Sequence, residues 1–78
     1  MLKNLDRKIE FYARKYASMI AECQHETRAG SECYGKILGL CLAHNLLTGG
    51  ERPHIALAHE AIETAKLHIL FDSAGNPV

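Results

Sequence analysis

The chain has no tryptophan, two prolines and no net charge when its five histidines are neutral. No apolar run approaches the ~20 residues that span a bilayer. The nearest, Ile37 to Leu47, is interrupted by His44 and Asn45. The opening residues MLKNLDRKIEFYARK hold no apolar core of the signal-peptide kind, and three cysteines are too few and too odd for a disulfide scaffold. A cytoplasmic, membrane-free protein is therefore expected. There is no CxxC pair, no Gly-rich phosphate loop, no GxSxG elbow and no metallohydrolase signature, so a non-catalytic protein without a cofactor is the expectation. No internal repeat or low-complexity tract is visible.

What is there is helical pattern. With 47% hydrophobic and 23% charged residues, 78 positions suit one globular domain. A chain of this length buries only roughly 60% of its unfolded surface, so an added staple or a partner is expected to complete it. The fold class expected is all-α, a small three-helix bundle over residues 1–71 with close-packed second and third helices, completed by homodimerisation. The helices are placed at about 2–26, 32–47 and 53–71, and residues 72–78 are read as a frayed tail.

In the first helix, Leu2, Ile9, Tyr16 and Cys23 recur at sevens, with Leu5, Tyr12 and Met19 three places on. Such a seam packs lengthwise on a neighbour. Gly30 is read as its C-terminal cap and Ser31 as the N-cap of the next helix. The second helix, CYGKILGLCLAHNLL, has no polar stripe: Lys36, His44 and Asn45 point in three directions. Its ridge of Gly35, Gly39 and Ala43 carries no bulky side chain and lets another backbone come close. In the third helix Ile55, Ile62 and Ile69 are spaced by sevens with Ala58 and Ala65 between them. Ala58, Ala61 and Ala65 are thus expected to face Gly35, Gly39 and Ala43. Three helices cannot enclose the middle one, and a twofold dimer is the simplest cover for Leu38, Leu42 and the rest of its apolar surface. Gly35, Leu38, Gly39, Leu42, Ala43, Ala58 and Ala65 are the residues assigned to close packing and dimerisation.

Charge is polarised. Residues 1–16 hold five basic residues against two acidic ones, and the remainder holds four basic against seven acidic. Arg7, Lys8, Arg14 and Lys15, together with Phe11 lying off the seam, form the expected contact surface for a larger protein partner of unknown identity. The leading functional reading is therefore a small adaptor, regulator or inhibitor that works by docking. Two other classes stay open. Cys41 and His44, one turn apart, could share a metal or sense redox state, but a structural zinc needs two further ligands. The basic first helix could bind a small anion or nucleic acid, although interleaved Asp6 and Glu10 and a pI near 7.0 argue against a phosphate grip. His59 and Glu63 are read as a surface i,i+4 pair. His54 and His68 are read as groups that could make association pH-sensitive.

Overall fold

The computed structural model describes residues 2–70, with side chains described over 2–67. It holds three helices, α1 (Leu2–Ala21), α2 (Arg28–Thr48) and α3 (His54–Leu70), and no strand among the described residues. Each helix packs on the other two, most extensively α1 with α3 and least α2 with α3. The expected tail at 72–78 lies outside the described residues.

The core is built from small side chains around two isoleucines. Ala13 and Ala17 of α1, Cys33, Ile37 and Cys41 of α2, and Ala58, Ile62 and Ala65 of α3 are buried together. Ile9, Tyr12, Tyr16, Met19 and Ile20 ring the alanines of α1, and Tyr34, Leu38, Leu57 and Ala61 close the other sides. The expected seam of α1 thus supplies the rim rather than the centre. Alanine faces let the helices approach, and the larger residues beside them seal the gap. Leu2 is exposed, and Cys23 lies beyond the helix.

α1 ends earlier than its periodicity suggests. Cys23 adopts a left-handed φ of 60°. Its N–H donates to the Ile20 carbonyl at 3.0 Å, and the Gln24 N–H donates to the Met19 carbonyl at 2.7 Å. That pair of bonds is a Schellman cap, which satisfies carbonyls a helix end would otherwise leave open. Thr27, not Ser31, then starts α2: its backbone is extended and its Oγ1 accepts the Gly30 N–H at 3.2 Å. Gly30 is no cap but a first-turn residue of α2, buried where a Cβ would overlap the His25 carbonyl. α2 closes at Gly49, whose φ of 66° and N–H to the Asn45 carbonyl make the left-handed cap. Pro53 precedes α3, its carbonyl accepting the Leu57 N–H at 3.2 Å.

The orientation of α2 reverses one expectation. Cys33, Ile37 and Cys41 face inward, and the glycine ridge faces out: a Cβ at Gly35 or Gly39 would meet nothing within 4 Å. Ala58 and Ala65 are buried as expected, but they do not seat those glycines. Apolar area decides the rotation, because an isoleucine and two cysteines remove far more surface from water than glycines can. Ile55 is also half exposed, whereas Ile62 is in the core. The Ile69 and His68 side chains fall outside those described.

Candidate functional surfaces

Three surfaces remain once the core is closed. The first is the outward face of α2. Gly35, Gly39, Leu42 and Leu46 follow one another at i, i+4, i+7 and i+11, directly opposite the buried Ile37. Leu42 is 44% and Leu46 78% exposed, with Leu47 beside them at 54%. No charged residue interrupts the stripe from Gly35 to Leu46.

The second lies on α1. Arg7, Phe11, Arg14 and Lys15 line one shallow depression with Glu10 and Ser18, so four of the five residues expected to meet a partner come together there. Lys8 is exposed but does not line it. Phe11 is 62% exposed, its ring edge-on to Tyr12 at 5.1 Å between centroids. Arg14 is held by Glu10 at 2.6 Å, which leaves Arg7 and Lys15 as the freer charges among those lining the depression.

The third is a groove of about 370 Å³ between α1 and α3, reached also by Cys41 and His44 of α2. Its floor is apolar and its rim carries Asp6, Glu10, Arg14, His44, Glu60 and Thr64. The Glu10–Arg14 pair forms the ridge between this groove and the basic depression. Periodicity alone did not reveal the groove, since it depends on how α1 and α3 are set against each other.

Cys41 and His44 both reach the groove but are engaged differently. Burial raises the Cys41 thiol above its ordinary value of 9.0. His44 Nε2 meets Asp6 Oδ1 at 3.2 Å rather than the thiol. Cys33 donates to the Tyr12 carbonyl at 3.4 Å, and its thiol is likewise raised by burial, opposed in part by Lys15 and Lys36. A raised thiol pKa works against the thiolate that metal binding or nucleophilic attack requires. Among the described residues, no three His, Cys, Asp or Glu side chains gather as a metal cage.

His59 of α3 also finds a partner that spacing did not suggest. His59 Nε2 pairs with Tyr34 Oη at 2.8 Å, and Glu63 pairs with Lys66 at 2.9 Å instead. Tyr34 in turn stacks, tilted, on Tyr16 at 5.5 Å, which links all three helices through aromatic rings. No helix of the described residues is long and apolar enough to cross a membrane. No protein-family model matches this chain, and neither the curated proteins nor the solved structures include a match to it.

Proposed function

We propose that this chain is a small non-catalytic interaction protein that dimerises through α2 and docks on a larger protein through α1. The observation that carries the reading is the uncharged, outward stripe of α2, with Leu42 and Leu46 standing in solvent beside two bare glycines. An exposed contiguous apolar face marks an interaction surface more often than a solvated one.

The stripe has its own complement in reverse. When two copies of α2 run antiparallel about a twofold axis between Leu40 and Cys41, Leu46 meets the partner's Gly35 and Leu42 meets the partner's Gly39. Each leucine enters the gap left by a glycine, and the same contact occurs twice, as an isologous interface demands. Antiparallel packing also opposes the two helix dipoles favourably. α1 stays free in this arrangement, so each dimer presents two basic depressions with Phe11 at their centre. An aromatic anchor surrounded by Arg7, Arg14 and Lys15 suits an acidic protein surface.

The docking half is tested by placing a photo-crosslinking amino acid at Phe11 in producing cells. The reading expects one dominant protein adduct that is lost on R14E/K15E, while the dimer persists. Adduct formation that ignores this charge reversal contradicts it. Changing Cys41 to Ser separates the sensor alternative, because docking and dimerisation are expected to survive that substitution.

A further inference from the structure

We infer that the partner met by the α1 depression presents an α-helix with acidic, apolar and acidic side chains in one row, at i, i+4 and i+8. The inference rests on the docking reading and specifies the chemistry the depression accepts.

Pairing decides the charge that the depression shows. Asp6 and Glu10 lie between cations in the sequence, but neither cancels the face. Asp6 does not line the depression and meets His44 of α2 at 3.2 Å, while Glu10 is held by Arg14 at 2.6 Å. Among the described residues, Arg14, Arg28, Arg52 and Lys66 each hold a carboxylate, whereas Arg7 and Lys15 hold none. The lining thus carries three cations, Arg7, Arg14 and Lys15, against the one carboxylate of Glu10. Its excess is positive, and it sits on the two unpaired residues.

Spacing decides the form of the occupant. Arg7, Phe11 and Lys15 follow one another at i, i+4 and i+8, so Phe11 stands about 6 Å along the helix axis from each cation. The complement is two anionic groups about 12 Å apart with an apolar side chain midway. Tyr12 braces the Phe11 ring edge-on at 5.1 Å between centroids, and Arg14, tied to Glu10, lines the same depression. A ring held in this way loses little freedom when a partner covers it. An α-helix offers the matching row, with the same rise and the same drift around its axis. An extended segment would need partners for its backbone, and the described residues hold no strand edge to supply them. A nucleic-acid strand would find two unpaired cations in the depression, too few for a grip that depends on many phosphate contacts.

The test titrates the full-length, 15N-labelled protein with a stapled helical peptide carrying Glu, Leu and Glu at i, i+4 and i+8 of one face. An isomer with both glutamates moved to the opposite face, and a single-stranded oligothymidylate, are the controls. Saturable amide shifts centred on Arg7, Phe11 and Lys15 are expected with the row peptide, and added salt should weaken its binding. The isomer should bind roughly fourfold more weakly or worse, because two exposed charge pairs are lost. R7Q and K15Q should each weaken the row peptide roughly two- to fivefold. F11A, which removes the anchor, should weaken it roughly tenfold or more. All three positions are exposed, and the dispersion of each spectrum reports whether the variant is folded. No saturable shift with the row peptide, shifts centred elsewhere, equal binding of the isomer, or binding of oligothymidylate in its place would overturn the assignment. Those outcomes leave the docking reading standing, since that reading falls with the Phe11 crosslink in cells.

Discussion

Cys33 and Cys41 lie on the inward face of α2, and burial raises both thiols above their ordinary value of 9.0. The unfolded chain therefore loses these protons first as pH rises. Between 9.0 and the folded values the native state holds more protons than the unfolded one, so stability falls with increasing pH; below that window the thiols contribute no pH dependence. The urea midpoint should fall from about pH 8 to about pH 10, and more steeply in the wild type than in a C33A/C41A variant. Equal slopes would mean that the thiols stay solvated. The sequence did show Cys41 and His44 one turn apart on the second helix. It could not show that His44 turns to Asp6, because that choice depends on where α1 ends up.

The connection between α1 and α2 was the least legible element. Sequence reasoning put the cap at Gly30, the residue type that prefers a left-handed φ. The chain uses Cys23 there instead and keeps Gly30 for its close approach to His25. Tertiary demand decided this: entering α2 at Arg28 turns Cys33, Ile37 and Cys41 onto the core. Two substitutions check the account in opposite directions. C23G should stabilise the fold by about 0.5–1 kcal/mol, since the left-handed cost to a Cβ outweighs the added chain entropy. T27A should cost about 1 kcal/mol through loss of the bond to Gly30 N–H. Chemical denaturation of both variants reads these shifts directly, and a neutral T27A would remove Thr27 as the cap. By contrast, α3 was legible in its centre. Ala58, Ile62 and Ala65 sit inward as their spacing implied, because an isoleucine flanked by alanines fits a neighbour's small-residue face whichever helix supplies it.

At the scale of the molecule, three helices and an all-helical core followed from period and length. The rotation of α2 did not follow, and it changes what the glycines are for. A ridge expected to meet α3 instead stands open beside Leu42 and Leu46. That makes the sign of a glycine substitution informative. In an isolated monomer G39A should stabilise α2 by up to about 1 kcal/mol, because a Cβ there meets nothing and alanine is the better helix former. If the partner's Leu42 occupies that place, helix stability still rises but the dimer weakens. A larger residue amplifies the contrast. The central claim is therefore tested most directly by sedimentation velocity of the wild type and of G39L across a range of concentrations, with helicity checked by circular dichroism. The account predicts a wild-type mass twice 8.7 kDa and a folded G39L at 8.7 kDa. A wild type that stays at 8.7 kDa throughout, or a G39L that dimerises as readily, would contradict it.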